Sequence, residues 1–211
     1  MRKVFLWNVL LSKDDKPVHY TSEDFELPKS EWKFGCSYLI EMNVEENDTI
    51  LVLSALTEGE QAQDNYLVFK EEVNKIVAAK HAAVLFEEII QPSEFDDPHT
   101  CLRFFKAVSA KLKDGDRIYY DMTSGMKPYS FSMFIALAYA AKAARDISVE
   151  QLVYVSLYSG KTKDNNDAKP SIATIWDVTS LFTLNEIAGN VLPGQKASSD
   201  QMLDCIIGDE D

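Results

Sequence analysis

Arg117-Ile-Tyr-Tyr-Asp-Met-Thr-Ser-Gly-Met-Lys-Pro128 is the stretch that decides how this chain folds. Ile118, Tyr119 and Tyr120 form a β-rich run, bounded on its N-terminal side by the Asp114-Gly115 turn. Thr123, Ser124 and Gly125 predict a tight turn. Pro128 suits the first turn of a helix, where no amide hydrogen is needed. Tyr129 to Ala141 is then rich in helix formers. A strand that turns directly into a helix leaves backbone N–H groups unpaired beyond the carboxyl edge of its sheet. Together with the helix dipole they make an anion site, and Lys127 adds a full positive charge beside it. Phosphate is the expected guest.

Outward from this stretch, strand and helix signals alternate. Val4 to Leu11 is a dense apolar run of the kind a central parallel strand shows when both faces are covered, and Lys13 to Pro17 closes it with turn chemistry. Val18 to Pro28 reads as irregular, and Ser30 to Ile40 as a helix. Thr49 to Leu56 is a second buried strand, followed by a polar loop from Thr57 to Asp64. Leu67, Val68, Val73, Ile76 and Val77 recur at helical spacing within Asn65 to Lys80. Ala83 to Ile90 is a third strand, and Thr100 to Leu112 a helix with Leu102, Phe105, Val108 and Leu112 on its apolar side. After the Arg117–Pro128 unit come two strands, Gln151 to Tyr158 and Ile172 to Val178, which can pair as an antiparallel edge hairpin. Ser180 is placed to cap a short helix from Leu181 to Ala188. The pattern predicts an α/β fold: a Rossmann-like, mostly parallel sheet flanked by helices over residues 1–190, then a linker and acidic tail over 191–211. Tyr119, Tyr120, Phe131, Phe134 and Tyr139 are expected in the core.

Composition narrows the classes of function. The 211 residues suit one domain, and 46% hydrophobic with 26% charged residues is ordinary for a globular chain. A formal net charge of −13 argues against broad adhesion to DNA, RNA or anionic membrane, which call for a basic face. Cys36, Cys101 and Cys205 are few and unpatterned, the N-terminus reaches polar residues too soon for a secretory signal, and Tyr129 to Ala141 is too short to span a bilayer. The expectation is a soluble protein of the reducing cytoplasm.

Sheets of this kind bind ligands beyond the carboxyl ends of their strands, where chain order reverses. The candidate rim is Asn8 to Lys13, Ser54 to Glu58, Asp121 to Lys127 and Ser156 to Lys161. Several familiar motifs are missing from the sequence. Neither Gly59 nor Gly125 belongs to a GxGxxG fingerprint, and no G-x-S-x-G elbow occurs. Gly160-Lys161-Thr162 lacks both the upstream glycine and the following helix of a phosphate-binding loop. His19, His81 and His99 show no metal-ligand spacing, and the pairs Glu87-Glu88 and Asp96-Asp97 read as solvated acids. No cofactor and no metal is expected.

Asp121-Met-Thr-Ser-Gly-Met-Lys-Pro128, between an apolar strand and an apolar helix, resembles the D-x-T-x-G-x-R/K turn of CRISPR-associated Rossmann-fold (CARF) domains. The likeness in strand order and spacing extends over about Arg2 to Leu184. Ser124 stands where family members commonly carry His, and Lys127 where they carry Arg. The resemblance implies a homodimeric sensor of type III CRISPR antiviral defence, with a pocket for cyclic tetra- or hexa-adenylate across the two-fold axis. Thr123, Ser124, Gly125, Met126 and Lys127 would then hold phosphate, with Ser12, Ser54, Thr57 and Ser159 carried over by topology alone, and Asp121 would shape the loop. The same pocket implies slow, metal-independent ring nuclease activity. The ligand's own ribose 2′-hydroxyl is the nucleophile, Lys127 neutralises charge on the phosphorane, and Ser124 or Thr123 orients the phosphate. The chain would act alone or report to an effector domain or partner. Two other classes stay open: a Rossmann-like enzyme acting on a mononucleotide or nucleoside within one subunit, and an interaction module whose acidic surface docks a basic partner.

Overall fold

β1 (Arg2–Asn8) takes the centre of the sheet because its side chains from Lys3 to Asn8 are all buried, which only a strand covered on both faces allows. The computed structural model describes residues 1–11, 18–94, 97–158 and 171–191. The expectations placed on Ser12, Asp96, Ser159, Gly160-Lys161-Thr162 and the chain from Leu192 onward fall outside these residues. Parallel to β1 on its two sides lie β3 (Thr49–Thr57) and β5 (Asp116–Asp121). β4 (Ala83–Gln91) extends the sheet beyond β3, and β6 (Ser148–Tyr158) extends it beyond β5. The expected hairpin is present: β7 (Ser171–Asp177) runs antiparallel to β6, and β2 (Val18–Thr21) closes that edge in parallel with β7. The order of the seven strands is β2-β7-β6-β5-β1-β3-β4.

Two helices, α1 (Gly35–Asn43) and α2 (Glu60–Ala79), cover one face of the sheet. On the other lie α3 (His99–Ser109), α4 (Lys127–Ala143) and α5 (Ser180–Asn190). The fold is therefore a three-layered, Rossmann-like α/β sheet, as the alternation of signals predicts. Trp7, Phe34 and Phe69 knit the first layer, with ring centroids 4.1 Å apart for Trp7–Phe69 and 5.1 Å for Trp7–Phe34. Phe104 and Tyr129, 5.4 Å apart, join α3 to α4 in the second. Burial of such side chains contributes about 1.5–3 kcal/mol each. Among the described residues no helix is long and apolar enough to cross a membrane.

The structure corrects several expected boundaries and faces. β1 ends at Asn8 rather than Leu11, and the supposedly irregular Val18 to Pro28 contains β2, whose strand character depends on β7. α1 starts at Gly35, not Ser30, and α2 starts at Glu60, inside the expected loop. Leu67, Val68 and Leu102 face outward, and Tyr66 and Phe69 on α2 and Phe104 on α3 face inward in their place; Val73, Ile76, Val77 and Val108 are buried as expected. The cap of α5 is not Ser180. Thr179 precedes the helix, its Oγ1 accepts the Leu152 N–H at 2.8 Å, and its own N–H donates to Asp177 at 2.8 Å.

Chain order runs from β1 out through β3 to β4 and then returns to β5 on the opposite side of β1. The reversal falls between β1 and β5, so Asn8 and Asp121, at their carboxyl ends, flank the position where such sheets take ligands.

Candidate functional site

β5 delivers Asp121 to this rim on the α1 face, where only 2% of it is exposed. Its Oδ1 accepts the Thr123 N–H at 3.0 Å, and the Cys36 N–H at the start of α1 also donates to it. Burial pushes the Asp121 carboxyl above the usual carboxylate range, against the pull of those donors. Asp121 thus shapes the turn. The turn is tied to the next strand as well: the Met122 N–H donates to Val153 O at 3.0 Å, and Thr123 Oγ1 accepts the Val155 N–H at 2.8 Å.

On the α4 face the same turn rests on a buried polar relay. Asn8, 1% exposed, donates through Nδ2 to the Tyr120 hydroxyl at 2.9 Å and to Ser130 Oγ at 3.1 Å. The Tyr120 hydroxyl donates to Ser130 O at 3.3 Å, and Ser130 Oγ donates to Ser124 O at 3.2 Å. The carbonyl of the turn is therefore held from below through three buried side chains. Gly125 closes over Asn8 with φ 91°, and a Cβ there would stand 2.6 Å from the Asn8 Cβ. Only glycine combines that backbone with that approach. Asn8 Oδ1 is buried with no hydrogen-bond partner among the described residues.

α4 follows with Met126 at its N-cap, Lys127 and Pro128 in its first turn, and no side-chain cap. Pro128 has no N–H, and those of Tyr129 and Ser130 donate to Met126 O at 3.0 and 3.1 Å, so the Lys127 N–H and the positive end of the dipole are what α4 offers an anion, beside the exposed Lys127 side chain. α1 presents a second helix N-terminus at this rim, but the protein's own carboxylates occupy it. Glu72 accepts the Lys33 N–H at 2.7 Å, the Ser37 hydroxyl at 2.6 Å and the Phe34 N–H. Asp121 takes the Cys36 N–H. Of these two helix ends, α4 alone is left without an internal acid.

A cavity of about 490 Å³ opens beside the turn on the α4 face, within the range of small-molecule pockets. Thr123, Gly125, Lys127 and Ser130 form its polar end. Phe131, Phe134, Tyr154 and Leu181 form an aromatic and aliphatic wall, with Asn185 the polar group on it. A second cavity, of about 60 Å³, lies on the α1 face against Trp7, Lys33, Asp121 and Ser124. It has room for water but not for a nucleotide.

The structure brings Thr123, Gly125 and Lys127 to one cavity and separates the other expected site residues from it. Ser124 faces the small cavity, so the turn itself parts it from Lys127. Met126 packs partly buried against the core. Ser54 is fully buried within β3, opposite Trp7 and Glu88, and Thr57 ends that strand opposite Gln91. Both lie beyond β1 from the turn, and neither lines the larger cavity. Asn8 and Ser130 beneath the turn, and Tyr154, Leu181 and Asn185 on the wall, carry no motif. Their role follows from the strand order and from the packing of α5 on α4, where the rings of Phe134 and Phe182 stand 5.8 Å apart. Two aromatics expected in the core are outside it, Phe131 being 68% and Tyr139 54% exposed.

Fold and site together define a Rossmann-like α/β protein with an uncapped helix end at its switch point and an aromatic-walled cavity beside it. Compared with protein-family models and with curated proteins, the chain matches none.

Proposed function

We propose that this protein is a CARF-type sensor that binds cyclic oligoadenylate in type III CRISPR antiviral defence. The observation that carries the reading is the Asp121–Pro128 turn: it stands at the reversal of strand order, and the helix end behind it lacks any capping side chain. Phosphate sits at the N–H groups of Gly125 and Lys127, at the positive end of α4, with the Lys127 ammonium as counter-charge. An adenine ring lies against Phe131 and Tyr154, which supply aromatic surface at the cavity wall. Cleavage of the ring is slow and needs no metal: the ligand's 2′-hydroxyl gives its proton to solvent and attacks the adjacent phosphorus, the P–O5′ bond breaks, and the 5′ oxygen leaves as a hydroxyl after taking a proton from water, which leaves a 2′,3′-cyclic phosphate. Lys127 stabilises the added negative charge, and Thr123, which lines the same cavity, orients the phosphate.

Calorimetric titration with cyclic tetra- and hexa-adenylate tests the reading. One ring per two chains is expected, with binding weakened at least about 10-fold by Lys127→Ala, since a charged contact to phosphate contributes about 1.5–3 kcal/mol. Linear products in the recovered ligand add ring nuclease activity. Absence of binding by either ring would sink the proposal.

A second reading, an enzyme acting on a mononucleotide or nucleoside, is favoured by one observation. The cavity beside the turn is built from a single chain, with a polar end that carries Lys127 and an aromatic wall at mononucleotide scale. Adenosine monophosphate bound at one per chain, while the rings do not bind, would select this reading.

A further inference from the structure

Asn8 holds a buried acceptor left over by the network around it. The Tyr120 hydroxyl donates to Ser130 O and the Ser130 hydroxyl to Ser124 O, so both hydroxyls can only accept from Asn8. Nδ2 therefore faces them, at 2.9 and 3.1 Å, and Oδ1 is turned elsewhere, 3.7 Å from where a Cβ of Gly125 would stand. Asn8 is 1% exposed, and its Oδ1 has no partner among the described residues. A buried oxygen in that position has lost its water and gained nothing. The turn beside it holds an unpaired donor, since the Gly125 N–H makes no hydrogen bond among the described residues either.

One movement joins the two. The Ser124–Gly125 peptide has its carbonyl held by Ser130 Oγ at 3.2 Å. Turned over, it carries the Gly125 N–H toward Asn8 Oδ1 and the Ser124 carbonyl out to the rim. The φ of 91° at Gly125 is near the about +80° of the third residue in a type II turn; turning over the central peptide takes it to about −90°, as in type I. Glycine reaches both without strain. Ser130 loses nothing, because its Oγ also lies 3.5 Å from Met126 O, the back-bond that a helical serine commonly makes. The turned-over form thus gains one hydrogen bond inside the protein, and an anion on the Gly125 N–H supplies the counterpart in the form seen here.

We propose that Asn8 is a positioning residue for the anion site: its Oδ1 receives the Gly125 N–H when the site is empty, and a bound anion draws the peptide outward again. With the peptide inward, the Ser124 carbonyl oxygen faces the rim and repels phosphate. The two forms exclude each other, so the fraction of chains with the N–H outward sets the affinity. The inference rests on an anion at Gly125, as in the reading above, and not on which nucleotide carries it.

Inorganic phosphate titrated into the isotope-labelled full chain, followed by nuclear magnetic resonance at the Gly125 amide nitrogen, tests it. Asn8→Leu removes the acceptor for the inward N–H, while Tyr120 and Ser130 keep acceptors for their own protons. Phosphate should then bind about 2-fold or more tightly, by the reciprocal of the outward fraction in the unaltered chain. The phosphate-free Gly125 signal should move toward its phosphate-bound position. Ser130→Ala releases the Ser124 carbonyl, so the signal should move the other way and phosphate should bind several-fold more weakly. Asn8→Asp strengthens the inward acceptor and should shift the signal as Ser130→Ala does, which keeps the test alive should Asn8→Leu not fold. Residues that merely support the turn would all weaken binding when removed. Weaker phosphate binding in a folded Asn8→Leu, a Gly125 shift toward the bound position in Asn8→Asp, or a Gly125 signal indifferent to phosphate overturns the proposal. Opposite shifts in a chain that binds neither cyclic tetra- nor hexa-adenylate uphold it and sink the cyclic oligoadenylate reading alone.

Discussion

Gly125 carries two demands at once, a left-handed backbone and a Cβ-free approach to Asn8. Gly115 carries only the first: its φ is 79°, and a Cβ there would meet nothing within 4 Å. The pair separates the two effects. Gly115→Ala should cost about 1 kcal/mol, the usual penalty for an alanine at positive φ. Gly125→Ala should cost about 2–4 kcal/mol, because Asn8 must also shift and the relay through Tyr120 and Ser130 shifts with it. Urea denaturation of both variants measures the difference. Only the second should also weaken phosphate-dependent binding, since the carbonyl of Ser124 and the N–H groups beyond it move together. Equal losses in the two variants would show that the contact with Asn8 is soft. This much of the site was legible from residues alone, because strand, turn and proline-started helix are adjacent in sequence. The support beneath the turn was not: Asn8 lies more than a hundred residues from its partners, and no local pattern marks an asparagine whose amide bonds to a tyrosine and a serine.

At the scale of elements, local signals worked where an element is held by its own pattern and failed where a distant partner holds it. β5 and α4 are of the first kind. β2 is of the second, four residues whose strand state rests on β7. The start of α1 was placed too early because distant carboxylates fix it rather than a serine or threonine in sequence: Glu72, on α2, holds the Lys33 and Phe34 N–H groups just before the helix and the Ser37 hydroxyl, and Asp121 takes the Cys36 N–H. The far wall of the cavity was hidden for the same reason, since α5 reaches it by packing over α4. The capping of α1 makes a prediction about pH. Burial raises the Glu72 pKa, and hydrogen bonds from Ser37, Lys33 and Phe34 only partly oppose it; Asp121 is raised in the same way. The folded state then holds protons that the unfolded chain has already released. This contribution to stability is fully present below about pH 4 and is lost as pH rises through the folded-state pKa values. Glu72→Gln should remove part of that slope and leave the part due to Asp121. It should also cost about 1–3 kcal/mol near pH 7, because one amide oxygen cannot accept all the donors that two carboxylate oxygens serve. Urea midpoints collected between pH 4 and 8 decide it; an unchanged slope would show that Glu72 does not titrate with folding.

For the whole molecule, net charge and local charge pull in opposite directions, and ionic strength separates them. Between two chains of −13, repulsion acts over the Debye length, about 30 Å at 0.01 M salt and about 10 Å at 0.1 M. The cyclic oligoadenylate reading pairs two such chains, and this repulsion opposes the pair. Added salt screens it, so self-association should tighten several-fold between about 0.01 and 0.15 M salt. Phosphate at Lys127 is a short-range attraction between opposite charges at an exposed site, and salt weakens it. Ring binding by chains already paired should therefore loosen over the same range. Sedimentation equilibrium gives the first slope, and calorimetric titration at protein concentrations well above the dimer dissociation constant gives the second. Opposite signs are expected because the two events draw on different charges, the acidic surface as a whole for one and a single helix end for the other. If self-association also loosened with salt, ion pairs would have to hold the two chains together.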